Sequence, residues 1–170
     1  MGDAMAISAL VAAARKGDKE AFSQLVKLFL GAAISTALAI VRRRDWAEDV
    51  AQIAFLRAWQ SMGTLQANAA FASWLTTIVR NCARNWLRDH SFESRLRNQS
   101  AAAEVPAAAA VDAELPQAVW RLPEELREVV LLRFVNDLSY EEIAHALGQP
   151  LSVVRDRLYR ARQALADFLK

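Results

Sequence analysis

The sequence predicts an all-α fold of two small helical domains joined by a flexible linker, the second domain carrying a helix-turn-helix. Three observations predict it. Apolar residues recur at spacings of three and four rather than alternating, and Ala, Leu, Arg and Glu dominate, so strand signals are weak throughout. From Ser91 to Leu115 the pattern dissolves into an Ala-rich, acidic stretch containing Pro106 and followed by Pro116. Alanine alone favours helix, but no amphipathic face exists to dock this segment, which therefore reads as a tether. Beyond it, two short helical patterns are pinched around Gly148-Gln149-Pro150. The expected division is residues 1–92, a linker over 93–117, and residues 118–170.

Composition narrows the function classes. A chain of 170 residues that is 54% hydrophobic allows one domain or two small ones, each with a modest core, and such a chain can fold without a cofactor. Net charge is only +2, so any nucleic-acid binding must rest on where the charges sit. The lone cysteine, Cys82, excludes an intrachain disulfide, and with only His90 and His145 beside it no metal site or cofactor is expected. Core packing is the expected role of Cys82, and a reducing cytoplasm the expected compartment. Met1 to Ala14 lacks a basic leader and a cleavable apolar core, so it does not read as an export signal. The longest apolar candidate, Leu28 to Val41, contains Gly31, Ser35 and Thr36 and stops at Arg42, short of the roughly 18 residues a membrane helix needs. No membrane insertion and no small-molecule substrate are expected.

In the first domain two helical patterns run to Val41, broken near Gly17-Asp18, with Ala21, Phe22, Leu25, Val26 and Phe29 as a core stripe. Arg42, Arg43 and Arg44 form a basic connector that reads as a solvated helix end. The next helix, Trp46 to Gln60, carries two apolar stripes where a surface helix needs one. Ala51, Ala54, Phe55, Ala58 and Trp59 face inward, while Ile53 and Leu56 lie among Asp49, Gln52 and Gln60. That second face suits either a protein-binding patch or a neighbouring helix. Ser61 to Ala70, with Gly63 and Asn68, reads as a loop of unusual length between helices. In the helix from Phe71 to Asp89, the residues Phe71, Leu75, Ile78, Val79, Cys82 and Trp86 form the core side. Thr77, Arg80, Asn81, Arg84 and Arg88 lie opposite, with Trp74 at the border. Guanidinium groups, an amide and an aromatic edge suit phosphate contacts, base edges and stacking on an unpaired base.

A tether of roughly 25 residues has a coil span near 25 to 30 Å, so the two domains can reach DNA sites more than a helical turn apart. The second domain begins at Leu122-Pro123-Glu124-Glu125, where Pro123 and the acids suit a helix's first turn. Val129, Val130, Leu132 and Phe134 offer apolar partners. Ser139 with Glu142 is a capping box that starts a helix running to Leu147. Gly148 and Pro150 end that helix, and Ser152 is positioned to cap the next. Val154, Leu158, Ala161 and Leu165 fall on one side of this last helix; Arg155, Asp156, Tyr159, Arg160 and Gln163 point to water. That is the geometry of a helix-turn-helix DNA reader, although a helical hairpin with a solvated basic face has the same capping signals.

Taken in order, these segments resemble the extracytoplasmic-function (ECF) group of bacterial sigma-70-type RNA polymerase sigma factors. The resemblance rests on Gly17-Asp18 with Ala21-Phe22, Ala47 to Gln52, Phe55 to Trp59, Phe71, Trp74-Leu75 and Arg80-Asn81. It continues with Leu122-Pro123-Glu124, Leu131, Leu138 to Ala144, Leu147-Gly148 and Arg155 through Arg162. It implies a non-enzymatic initiation factor that binds core polymerase, directs it to a two-part promoter and assists melting. The first domain then corresponds to sigma region 2 and the second to region 4. Asp49, Gln52, Ile53, Leu56 and Trp59 are implied as the patch on the clamp helices of the largest polymerase subunit. The loop with Asn68, followed by Trp74, Thr77, Arg80, Asn81, Arg84 and Arg88, is implied at the minus-10 element. Ser152, Arg155, Asp156, Tyr159 and Arg160 are implied at the minus-35 element, and an anti-sigma protein is implied as a partner.

The chain departs from the family pattern at four positions. Ile53 stands where an acid usually follows the glutamine, Asn85 replaces a common acid, and Val153 and Asp156 replace the usual Thr and Ser. Val153 loses a hydroxyl for phosphate, whereas Asp156 gains an acceptor suited to cytosine or repels the backbone. No appended domain follows Leu169, so a fused regulatory module is not expected. Two other readings remain: a self-sufficient helix-turn-helix regulator, which predicts tight duplex binding without polymerase, and an adaptor whose Ile53–Leu56 patch recruits a protein partner.

Overall fold

A computed structural model describes residues 2–90 and 114–168, every regular element of which is helical. The first helix, α1 (Gly2–Arg15), ends in a turn where Gly17 takes φ +92°, a left-handed conformation that glycine adopts without a Cβ penalty. Asp18 then caps α2 (Lys19–Val41): its Oδ1 accepts from the backbone N–H groups of Glu20 and Ala21 at 2.9 and 3.0 Å. Arg42, itself left-handed at φ 57°, turns the chain into α3 (Arg44–Ser61). After two 3-10 turns, Met62–Thr64 and Asn68–Ala70, the chain enters α4 (Phe71–Asp89), which has the bounds its periodicity predicts.

Helices α2, α3 and α4 pack on one another, with α1 across α2. Alanine makes this possible. Ala33, Ala37, Ala47, Ala51, Ala54 and Ala58 are all buried where the helices meet, and small side chains let helix axes approach closely. Aromatic pairs fill the wider gaps, Phe22 against Trp59 at 5.0 Å and Phe29 against Phe71 at 5.1 Å. By length and composition alone α2 could cross a membrane, a feature the count of uninterrupted apolar residues does not register. Its buried residues, Leu25 and Ala33 and then Thr36 to Val41, belong instead to the packing of the bundle.

The second bundle comprises α5 (Glu114–Arg121), α6 (Glu124–Phe134), α7 (Tyr140–Leu147) and α8 (Leu151–Phe168). Residues 114–117, expected in the linker, are the first half of α5; the linker's 93–113 lie outside the described residues. The capping box of α7 is complete: Ser139 Oγ accepts from Glu142 N–H at 3.2 Å and Glu142 Oε2 accepts from Ser139 N–H at 2.8 Å. Gly148, at φ +61°, closes α7.

Three local expectations need correction. Ser152 does not cap α8, because the helix starts at Leu151 and the carbonyl of Pro150 accepts the first bonds, from Val153 and Val154 at 3.0 and 3.3 Å. Pro123 sits one position earlier than expected, as the residue preceding α6, where its carbonyl accepts from Leu126 and Arg127. Phe134 is 62% exposed although Leu132, in the same last turn of α6, is fully buried, so the two residues lie on different faces of the helix.

The two bundles are not separate. α2 and α4 of the first pack against α6 and α7 of the second. Arg127 of α6 is 1% exposed and donates from Nε and Nη2 to the carbonyl of Ala39 at 3.1 and 2.8 Å. Ala39 is in the last turn of α2, whose carbonyls have no partner within the helix, so the guanidinium satisfies one of them and sits at the negative end of the helix dipole. Burial, followed by the charge of Arg42, pulls the Arg127 guanidinium below its ordinary value, with Glu124 and Glu128 opposing.

The packing assigns opposite costs to adjacent residues of α8. Leu158→Ala removes a buried side chain and is expected to cost about 2–5 kcal/mol, whereas Tyr159→Ala on the outer face should stay within roughly 0.5 kcal/mol. Urea unfolding of the two variants checks this, and equal losses would show that α8 is rotated from the orientation described.

Candidate functional site

Three surfaces carry the residues singled out from the sequence. On α3, Asp49 and Gln52 are exposed and Leu56 is 65% exposed, a large apolar side chain between hydrogen-bonding groups. Ile53 and Trp59 are half-buried and rest against the core, Trp59 on Phe22. The patch therefore has an exposed edge, Asp49-Gln52-Leu56, backed by two anchored side chains. The arginine connector beside it is internally engaged: Arg43 pairs with Asp45 and lies 4.3 Å over Trp46, and Arg44 pairs with Glu48 at 2.9 Å. The hydrogen bond from Arg43 holds the Asp45 carboxyl below its ordinary value.

The second surface surrounds the 3-10 turns and α4. The expected ten-residue loop is anchored, because Met62 and Leu65 are buried under it. Asn68 does not project freely: its Nδ2 donates to the Ser8 carbonyl at 3.3 Å and its Oδ1 accepts from Arg15 at 3.1 Å. Trp74 is half-buried with its ring 5.9 Å from Phe71, at the side of a groove of about 550 Å³. Leu65, Gln66 and Trp74 line one wall; Glu141, Glu142 and His145 of α7 line the other.

Along α4 the expected open cationic face is only partly open. Asn81, Arg84 and Arg88 are exposed. Arg80 is not: it is 6% exposed, with Nε donating to Glu128 Oε1 at 2.5 Å, Nη2 reaching Oε2 at 3.5 Å and Nη1 donating to the Ala146 carbonyl at 2.8 Å. Thr77, half-buried beside it, donates to the Ser73 carbonyl at 3.0 Å and lies 3.5 Å from the same Ala146 carbonyl. The physical reason for the correction is the second bundle, whose α6 and α7 cover this part of α4.

The third surface is the outer face of α8. Ser152, Arg155, Asp156 and Arg160 are exposed and Tyr159 is 62% exposed, while Val154, Leu158 and Ala161 are buried beneath them. Arg160 pairs with Asp156 at 2.9 Å, one helical turn apart. Arg157, at the border, pairs with Glu125 at 2.8 Å and ties α8 to α6. A capped helix packed across a second helix, the second presenting donors, an acceptor and a ring, is the arrangement that places side chains in a major groove.

Sequence reasoning missed Arg127, Glu128, Thr36 and Asn136, which join the bundles; Asn136 Nδ2 donates to Thr36 Oγ1 at 2.7 Å. One signal was present. Arg127 and Glu128 interrupt the apolar run from Leu126 to Leu132, and charges inside a buried stretch need partners.

Comparison with known proteins assigns the arrangement to a family. A profile described as “Sigma-70 region 2” matches residues 25–93, and one described as “Sigma-70, region 4” matches residues 112–165. The ECF RNA polymerase sigma-E factor of Escherichia coli is 33% identical, over 97% of this chain and 95% of that one. This chain belongs to the ECF sigma factors. The RNA polymerase sigma-H factor of Pseudomonas aeruginosa is 31% identical over 95% of this sigma factor and 92% of its own length. Among solved structures, the sigma factor RpoE of Bartonella quintana, determined with the anti-sigma factor NepR, superposes with a TM-score of 0.74 at 26% identity. That match covers 87% of this chain and 96% of RpoE. CnrH, determined with the cytosolic domain of CnrY, superposes with a TM-score of 0.72 at 26% identity over 96% of this chain and 97% of its own. The sigma factor is a transcription initiation protein and not an enzyme.

Cys82 lies on the buried side of α4, and burial pushes its thiol up, partly offset by the charge and hydrogen bond of Arg57. Since the thiolate is the reactive form, a raised value lowers reactivity at any given pH below it. Alkylation by iodoacetamide at neutral pH is expected to be far slower in the folded sigma factor than in urea, and equal rates would contradict the burial.

Proposed function

We propose that this ECF sigma factor works in the cytoplasm by gripping core polymerase through α3, reading the upstream promoter element with α8 and holding the melted strand of the downstream element along α4. The observation that carries the reading is the outer face of α8, where Arg155, Asp156, Tyr159 and Arg160 are exposed over a buried Val154-Leu158-Ala161 stripe. Arg155 and Arg160 supply donors for guanine, and Asp156 supplies an acceptor for cytosine N4. Ser152, in the first turn of α8, contacts phosphate. Each good base contact contributes roughly 1–3 kcal/mol of discrimination, and phosphate contacts add salt-dependent affinity.

Asp49, Gln52 and Leu56, with Ile53 and Trp59 behind them, form the polymerase patch. Ile53 replaces a carboxylate there, which makes this docking less dependent on salt than an acidic patch would be. Trp74, Asn81, Arg84 and Arg88, together with Thr77, Arg80 and Asn68 once accessible, engage the minus-10 element. Residues 1–92 and 118–170 serve as the two working modules. The structural relative RpoE was determined with an anti-sigma factor, which supports a sequestering protein partner for this chain as well.

Purified core polymerase and a set of candidate promoters test the reading. Promoter-specific transcripts that require the sigma factor are expected, and their absence across the set would overturn it. Arg155→Ala with Arg160→Ala should abolish use of the upstream element, at about 1–3 kcal/mol per contact, while core affinity stays unchanged. Asp49→Ala with Gln52→Ala should do the reverse, weakening core binding with helical content retained.

A further inference from the structure

Asp156 stands where an acid is costly for a DNA reader. At roughly 100° per residue it points almost directly away from the buried Val154-Leu158-Ala161 stripe of α8, the direction in which a reading helix meets base edges. A carboxylate by itself in that position repels the phosphates on either side of a groove and weakens binding to every duplex. Asp156 does not act by itself. Its Oδ2 lies 2.9 Å from Nε of Arg160, one turn further along, and the two side chains are 60% and 54% exposed.

The pair is arranged to persist. Helical side chains lean toward the N-terminus, so the long Arg160 side chain reaches back over Asp156, and an acid four residues ahead of a base is the favourable order along a helix. The contact runs through Nε, on the flank of the guanidinium, and leaves the terminal Nη1 and Nη2 edge for the O6 and N7 of a guanine. Arg155 differs: its side chain has no ion-pair or hydrogen-bond partner among the described residues. An exposed pair of this spacing adds little to fold stability, and what it fixes is the direction of Arg160. A guanidinium held before binding loses less rotamer freedom when it meets a base.

We propose that Asp156 and Arg160 read DNA as one unit: Arg160 takes a guanine, Asp156 holds it in place, and the other carboxylate oxygen of Asp156 accepts from the amino group of a cytosine or adenine on the neighbouring base pair. Because the two head groups touch, the bases they meet are adjacent. This rests on the assignment of α8 to the upstream element, and adds that preferences at two adjacent positions are coupled. Asp156 is a positioning residue for Arg160 that lowers affinity for duplexes in general and raises selectivity, since its charge is offset only where the matching bases are present.

The test randomises the upstream element of a promoter that the sigma factor transcribes with core polymerase, and sequences the transcripts made by the unaltered full chain, Arg160→Ala, Asp156→Ala and Asp156→Glu. The unaltered chain is expected to prefer guanine at one position and, at the next, cytosine or adenine over guanine or thymine on one strand. Arg160→Ala abolishes the guanine preference. Asp156→Ala keeps Arg160, yet is expected to weaken the same guanine preference about tenfold and to erase the preference beside it. It is also expected to raise the affinity of the polymerase complex for a duplex without promoter elements, which loss of a merely structural contact would not do. Asp156→Glu retains the pair and most of the guanine preference. A guanine preference that Arg160→Ala leaves intact or Asp156→Ala leaves undiminished overturns the proposal, as do preferences that fall on separated positions. Specific transcripts from a chain whose Arg160 reads independently of Asp156 keep the broader reading and lose only the coupled pair. No promoter-specific transcript from the unaltered chain loses that reading, and the pair with it.

Discussion

Arg80 and Arg127 each leave their own bundle to take the carbonyl end of a helix in the other. Arg80 of α4 donates to Ala146 in the last turn of α7, and Arg127 of α6 donates to Ala39 in the last turn of α2. Helix ends expose carbonyls that their own helix cannot satisfy, and burying such an end without a donor is costly. The two guanidinium groups solve this problem reciprocally. Glu128 balances the charge of Arg80, and Trp120, 5.5 Å from Arg127, covers the other guanidinium. The closed arrangement follows from these contacts: α6 and α7 lie where the carbonyl ends meet the arginines, and α4 loses part of its cationic face to them.

A buried ion pair of this kind gives specificity of placement more readily than net stability. The attraction is offset by the desolvation of both groups, whereas removing one partner strands the other. Neither domain needs the pair for its own core. The first bundle is held by its alanine-lined helix contacts and aromatic pairs, the second by Val129, Leu132, Ile143, Val154 and Leu158.

Much of the fold was legible because its signals are local. The Asp18 cap, the Ser139–Glu142 box, the left-handed Gly148 and the two-faced pattern of α4 each act within a few residues, and each appears where the sequence puts it. The order of motifs in α3, α4 and α8 was specific enough to give the family. What the sequence hid is long-range. Periodicity shows that Arg80 and Thr77 point away from the core of their own bundle, but not that α7 of another bundle lies across them. Ser152 was misplaced for a smaller reason: Pro150 can supply the first accepting carbonyl with no side-chain cap. Phe134 was assigned inward by spacing, but the core side of the last turn of α6 is the face of Leu132.

The dependence of the closed arrangement on the Arg80–Glu128 pair is most directly measured by a double-mutant cycle with Arg80→Met, Glu128→Met and the combined variant, followed by chemical unfolding of the full chain. Each single change strands a buried charge, and the combined change strands none. The expected result is strong non-additivity, with the combined variant more stable than the sum of the single losses predicts, by about 0.5–3 kcal/mol. Losses that simply add would contradict the account, because they would mean that the two side chains do not meet in solution.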